Sequence, residues 1–197
     1  MDFLWILTFL VLVVVVILGW LWLIVPLAAG LPYFPTSPRR IQAALKLAGV
    51  QPGETVCDLG SGDGRVLLAA ASQFGARAVG IEISPVHCLL ARLRVWRSGL
   101  TSQVSIRQGN FYRADLSHVD VVFAYMTSRQ EPRLRPYLES HLRPGARVVT
   151  ISFSFEGWQP QDFDNTNLIF LYRMPPTPGD LTSLLATKDQ PTAGSPR

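Results

Sequence analysis

The 197 residues are the length of one domain, and 48% hydrophobic content is enough for a buried core without disulfide staples, which excludes a small disulfide scaffold. Only Cys57 and Cys88 are present, one in a strand pattern and one in a helical pattern, with no CxxC and no metal-ligand spacing. Both read as buried, reduced thiols, and no metal is expected. The formal charge of +4, carried almost entirely by arginine, suits an acidic membrane surface or an acidic partner and gives no ground to expect nucleic acid.

In chain order, the first element is residues 3–25, FLWILTFLVLVVVVILGWLWLIV, apolar throughout. At about 1.5 Å rise per residue it reaches across roughly 30 Å of hydrocarbon. Trp5, Trp20 and Trp22 lie towards its ends, where indole rings favour the interface. A secretory signal peptide is the rival reading, with Ala28-Ala29-Gly30 as its cleavage site. Against it stand Asp2, the absence of an N-terminal basic residue and the length of the run. Arg39 and Arg40 follow the span with nothing basic before it, so the positive-inside rule predicts a single-pass protein with its main domain in the cytoplasm. The expected division is a transmembrane helix over 3–25, a Pro/Gly-rich connector over 26–37, a globular domain over 38–174 and a disordered Pro/Thr/Ser/Gly tail over 175–197.

Ser37-Pro38 reads as an N-cap with proline at the first helical position. Ile41, Ala44, Leu45 and Ala48 then share one helix face, ending near Gly49. From there strand and helix patterns alternate: strand from Thr55, helix 66–74, strand 77–83, helix 85–96, strand 104–107, strand 119–125, helix 133–142, strand 146–153. A last strand over 167–173 returns antiparallel at the sheet edge. The fold class is α/β: a Rossmann-like open, mostly parallel sheet with helices on both faces, preceded by one transmembrane helix.

The chemistry concentrates at residues 55–65, TVCDLGSGDGR, where a strand ends in an acid and turns through three alternate glycines into a helix. A P-loop would need Gly-Lys-Ser/Thr, and a dinucleotide fingerprint would need a glycine where Arg65 stands; neither is met. Two carboxylates, Asp58 and Asp63, flank the turn, which disfavours pyrophosphate and favours a cationic ligand. Glu82 closes the second strand about twenty residues on, where an acid can bond both ribose hydroxyls; a structural salt bridge is its other reading. Ile83 offers apolar surface for a base. Asn110 offers a hydrogen bond to the base edge, and Phe111 either packs on the base or belongs to the core.

DLGSGDGR, GIEISP and GN at 109–110, in this order and spacing, resemble the class I S-adenosyl-L-methionine-dependent methyltransferases. The resemblance spans roughly residues 35–173. It implies that Asp58, Gly60, Ser61, Gly62, Asp63 and Gly64 surround the methionine part of the cofactor, that Glu82 holds its ribose and that Asn110, where the family usually has Asp, meets adenine. A hydrophobic N-terminus followed by LPYFPTS and DLGSGDGRVLLAAA is similar to the small membrane-anchored relatives of mitochondrial protein-lysine methylases that act on ATP synthase subunit c and the adenine nucleotide translocase. That similarity places Tyr33, Pro35 and Thr36 beside the cofactor.

An amine acceptor must lose a proton before methylation. Asp63 and Tyr125 are the candidates to handle it; the first can instead hold the cofactor and the second merely line the cleft. Ala124-Tyr125-Met126-Thr127 replaces the D/N-P-P-Y/F segment of amino-base methylases, which argues against DNA adenine. His87, His118 and His141 read as solvent-facing or capping. Arg92, Arg94 and Arg97 read as a solvated face or a contact with anionic lipid. Trp158 reads as an acceptor entrance or loop packing. The expected activity is lysine N-methylation of a membrane or membrane-associated protein at a lipid bilayer. A lipid or hydrophobic small molecule is the alternative acceptor, and a non-catalytic scaffold is the alternative of another class.

Overall fold

The computed structural model describes residues 2–28 and 35–188, so Tyr33 and the end of the tail lie outside the described residues. Helix α1 (Asp2–Ala28) is continuous through Pro26, where a connector was expected. Pro26 stands in the last turn, and the one N–H bond that proline removes there does not stop the helix two residues short. Phe3–Trp20 has a mean hydropathy of 2.9 and none of it is buried by the rest of the chain. It is a helix long and apolar enough to cross a membrane.

Helix α2 (Pro38–Leu47) begins where the capping pattern predicts, with Ser37 Oγ accepting from the Arg40 N–H at 3.4 Å. Its apolar stripe, Ile41, Ala44 and Leu45, is buried. Leu45 is fully enclosed, which contributes about 2–3 kcal/mol. Strand β1 (Thr55–Leu59), helix α3 (Arg65–Phe74), β2 (Arg77–Glu82), α4 (Pro85–Arg97), β3 (Val104–Gln108), β4 (Val121–Ala124), α5 (Glu131–His141) and β5 (Arg147–Ile151) follow in alternation. Strands β6 (Trp158–Gln159), β7 (Asp162–Asp164), β8 (Ile169–Arg173) and β9 (Thr177–Pro178) then precede α6 (Leu181–Lys188).

The main sheet runs β3-β2-β1-β4-β5-β8-β7. Its first five strands are parallel, and β8 pairs antiparallel with both β5 and β7. Side chains alternate between two cores, as a pleated strand requires. Val56, Val121, Phe123, Val149 and Ile151 pack with α2 and α3 on one face, together with Val95 of α4. Cys57, Leu59, Val122 and Ala124 face the other way, onto Leu134 and Leu138 of α5. Burial pushes the Cys57 thiol up to about 12 and the Cys88 thiol up to about 11, so both stay protonated at neutral pH. The order of strands reverses between β1 and β4, and an open α/β sheet binds ligands outside the carboxyl ends of its strands at that point.

Of the tail expected to be disordered from Pro175, residues 175–188 carry regular structure. Its β9 pairs antiparallel with β6, and Leu184 is buried while Leu181 packs on the core cluster that contains Trp158 and Met174. Asp180 Oδ1 accepts from the Ser183 N–H at 2.8 Å and Ser183 Oγ accepts from the Asp180 N–H at 3.0 Å, a reciprocal cap at the start of α6. Composition counted the prolines and serines there and missed this Asp-Leu-Thr-Ser start signal and its two leucines.

Candidate active site

The glycine turn is held by its backbone. Gly60, Gly62 and Gly64 have φ of 84°, 51° and 79°, the left-handed region that side chains with a Cβ rarely enter. The Gly60 and Ser61 N–H groups both donate to Ile81 O, at 2.9 and 3.2 Å, which ties the turn to the neighbouring strand. Glu82 completes the tie, one carboxylate oxygen accepting from the Gly62 N–H and the other from the Ser84 N–H, each at 2.8 Å. Gly80 lets the turn lie on β2: a Cβ there would meet Leu67 Cδ1 and Ser61 Oγ at 2.5 Å.

Above the turn is a cleft of about 640 Å³, the size of a pocket for a nucleoside-sized ligand. Thr36, Asp58, Gly60, Ser61, Gly62, Asp63, Glu82, Ile83, Asn110, Phe111 and Tyr125 all line it. Gly64 is not on its wall. That glycine precedes α3 and faces α4, where an added Cβ would lie 3.1 Å from Ala91 Cβ.

The electrostatics of the cleft favour a cation. Asp58 is buried, and its carboxyl is pushed well above the ordinary value by desolvation first, then by Glu82 and Asp63. Asp63 differs. Its carboxylate meets the Arg65 guanidinium at 2.7 Å and is also paired with Arg94. Arg65 in turn donates to Thr36 O at 3.0 Å, so one guanidinium joins the glycine turn to the segment that leads from α1. The arginine on α4 read as part of a solvated or lipid-facing run is thus, in Arg94, a half-exposed partner of the buried Asp63, a contact across about thirty residues that local pattern does not reveal.

Several polar atoms fit S-adenosylmethionine. Ser61 Oγ is buried on the cleft wall without a hydrogen-bond partner among the described residues, and such an atom is costly unless a ligand bonds it. Each Glu82 oxygen uses one lone pair on backbone and keeps another for a ribose hydroxyl. Asn110 Oδ1 accepts from the Tyr112 N–H at 3.0 Å; because a backbone N–H needs an oxygen, the Asn110 amide nitrogen is left as a donor for a base edge. Phe111 is buried in the core as well as on the cleft wall, its ring 4.4 Å from that of Tyr112. The reading of Phe111 as a core residue holds.

On the opposite wall stand residues that the sequence did not single out: Tyr112, Met126, Thr127, Gln130, Arg133 and Ser152. Arg133 lies 4.2 Å over the Tyr112 ring. Arg40 donates to Asn167 O at 2.8 Å and to Ser152 Oγ at 2.7 Å, and lies 5.6 Å from the centre of the Tyr125 ring. Thr127 Oγ1 is buried and has no partner among the described residues. Two sequence readings change here. His87 is 2% exposed and lines the cleft rather than facing solvent, with burial lowering its pKa from the ordinary 6.5. Trp158 belongs to the core, its Nε1 donating to Glu139 at 2.9 Å and its ring against Phe155 and Tyr172.

Comparison with known proteins agrees with this geometry. Residues 58–162 match the ANTKMT methyltransferase domain family. A protein-lysine N-methyltransferase of Saccharolobus islandicus (strain REY15A) is 35% identical over 148 residues, 72% of this chain and 92% of that protein. The adenine nucleotide translocase lysine N-methyltransferase of Mus musculus is 38% identical over 137 residues, 69% of this chain but 59% of the mouse protein. This chain therefore spans a little over half of that longer relative. An RNA methyltransferase from Salinibacter ruber, solved with S-adenosyl-L-homocysteine, superposes with a TM-score of 0.71 at 36% identity, over 75% of this chain and 99% of that one. A cleft built for a cationic nucleoside, on a Rossmann-like sheet that matches these enzymes over most of its length, makes the chain an S-adenosylmethionine-dependent methyltransferase, and it belongs to the ANTKMT methyltransferase domain family.

Proposed function

We propose that the enzyme methylates lysine side chains of a membrane or membrane-associated protein, with α1 spanning the bilayer and the catalytic domain on the cytoplasmic side. The observation that carries this reading is the closeness of anchor and cleft. Pro35 and Thr36 line the cleft, and Thr36 is eight residues (36 − 28) after Ala28, the last residue of α1. Eight residues span at most about 28 Å, so the cleft mouth stays within reach of acceptor side chains near the bilayer surface. The named activities of the archaeal and mouse relatives support lysine as the acceptor.

The cofactor supplies an electrophilic methyl group on a sulfonium. In this reading Asp58 gives up its raised proton when a positive charge is bound beside it and, with Glu82, then provides the negative field that holds that charge, and Ser61 Oγ and the Asn110 amide orient its two ends. Asp63, committed to Arg65 and Arg94, holds the turn in shape and is a positioning residue. The acceptor amine has to lose its proton. Tyr125 and Thr127 Oγ1, which has no partner among the described residues, both line the cleft; their hydroxyl oxygens can accept hydrogen bonds from the acceptor ammonium and orient it while its proton leaves to bulk water, and aromatic surface from Tyr112 and Tyr125 packs on the alkyl chain.

The test uses separated host membranes, labelled S-adenosylmethionine and the purified full chain. Label in a protein band, released as methyl-lysine on hydrolysis, is the expected result. Label confined to the lipid extract or to RNA removes lysine as the acceptor while leaving the methyltransferase intact. Protease added to sealed inside-out vesicles should remove the domain; protection would reverse the orientation.

A further inference from the structure

Helix α4 keeps apolar side chains exposed on the side turned away from the sheet. His87, Cys88, Ala91 and Val95 are buried against the sheet. On the other side Leu89, Leu90, Leu93 and Trp96 are 64, 41, 48 and 69% exposed. At 100° per residue Trp96, Leu89 and Leu93 fall within about 60° of one another, with Arg92 on one border of the stripe and Arg94 and Arg97 on the other. No Asp or Glu occurs between Pro85 and Gln108. A globular surface far from a membrane rarely keeps such a stripe in water, whereas a helix lying in a bilayer interface carries just this pattern, an apolar face rimmed by arginine. Helix α1 also passes next to α4, so the stripe sits on the part of the domain nearest the anchor.

We propose that the outer face of α4 lies in the headgroup region of an anionic lipid bilayer, with Leu89, Leu93 and Trp96 inserted and Arg92 and Arg97 among the lipid phosphates. The inference rests on the reading that α1 is embedded in that bilayer. It adds a second attachment, which fixes how the domain is oriented over the membrane.

The experiment places a nitroxide on the full chain in lipid vesicles, with or without phosphatidylserine, at Leu93→Cys, at Val13→Cys in α1 and at Glu156→Cys as a water-exposed reference. The native cysteines are buried at 1 and 0% exposure and stay unlabelled, and S-adenosylhomocysteine binding confirms that each variant is folded. The ratio of collisions with oxygen to collisions with a water-soluble nickel chelate should be higher at Leu93 than at Glu156, roughly threefold or more, in phosphatidylserine vesicles. Adding Arg92→Gln or Arg97→Gln should weaken the partition of α4 onto those vesicles, by about fivefold per arginine. A Leu93 label as wet as the Glu156 label, with the Val13 label still in lipid, overturns the proposal and leaves the anchor standing. A Leu93 label immobilised and shielded from both reagents overturns it in favour of a protein occupant, either α1 or a second copy. A wet Val13 label overturns both readings together.

Discussion

Asp58 shows how one residue can trade stability for ligand binding. Its carboxyl is buried beside Glu82 and Asp63 and is pushed above its ordinary value of 3.8, chiefly by desolvation. The folded chain therefore holds that proton more tightly than the unfolded chain. The contribution to stability is full below the ordinary value and is lost as pH rises through the raised one. Asp58→Asn removes the titration. The variant should accordingly be more stable than the parent by a margin that widens from pH 5 to pH 8, with a Tm gain of about 2–4 °C per kcal/mol recovered. On the proposed role of Asp58 it should also bind S-adenosylmethionine more weakly, because an amide cannot give up a proton to become an anion beside the sulfonium. Thermal melts at several pH values with and without cofactor check both halves; a loss of stability at pH 8 would show that Asp58 is not held at a cost. Gly80 argues the steric counterpart. A methyl group at 2.5 Å from Leu67 Cδ1 and Ser61 Oγ has to displace the glycine turn, so Gly80→Ala should cost about 1–3 kcal/mol. Calorimetry should show weaker cofactor binding at the same time, since Ser61 is the atom displaced.

Between elements, the tie that matters most joins α3, α4 and the glycine turn through Asp63, Arg65 and Arg94. Replacing Asp63 by Asn leaves two guanidiniums without their shared anion. Cofactor affinity should fall by about tenfold, the equivalent of one charge-assisted hydrogen bond of roughly 1.5 kcal/mol. If Asp63 positions the turn, the residual activity keeps the parent's pH–rate profile; if it accepts the acceptor's proton, the acidic limb of the profile disappears. What separates this tie from the parts of the fold that could be read in advance is range. Strands β1, β2 and β4 were legible because branched and apolar runs sit between Gly and Pro breaks, and α2 because Ser37-Pro38 is a local start signal. Asp63–Arg94 is a contact between elements, and sequence pattern carries no distance. The edge strands failed for another reason: β6, β7 and β9 are two or three residues each, too short to show alternation. At the cleft the same division holds, since Asp58 to Glu82 lie on the conspicuous glycine turn and the strands beside it, while Tyr112 and Thr127 come from the segments after β3 and β4 and Arg133 from the first turn of α5, positions whose approach to the turn local pattern does not reveal.

For the whole molecule, anchor and domain are separable in energy and joined in function. No part of Phe3–Trp20 is buried against the domain, and both hydrophobic cores are assembled from residues beyond the anchor, starting at Ile41. Helix α1 passes beside α4, but no described residue of α1 lines the cleft, so removing residues 2–28 should leave the described cores assembled and cofactor affinity unchanged within about twofold. Methylation of a membrane acceptor is another matter. A tethered cleft meets neighbouring side chains at an effective concentration in the millimolar range, against the micromolar concentration of a free domain, and the loss should be on the order of 10–100-fold. Fusing the same domain to an unrelated single-span helix, with the 29–37 connector retained, should restore most of that rate if α1 serves only to hold the cleft at the surface. A fusion that binds cofactor normally and sits in the membrane, yet fails to methylate, would instead show that α1 itself selects the acceptor through contacts within the bilayer. Rate measurements on one membrane preparation, with the parent, the truncation and the fusion side by side, separate these two roles for α1.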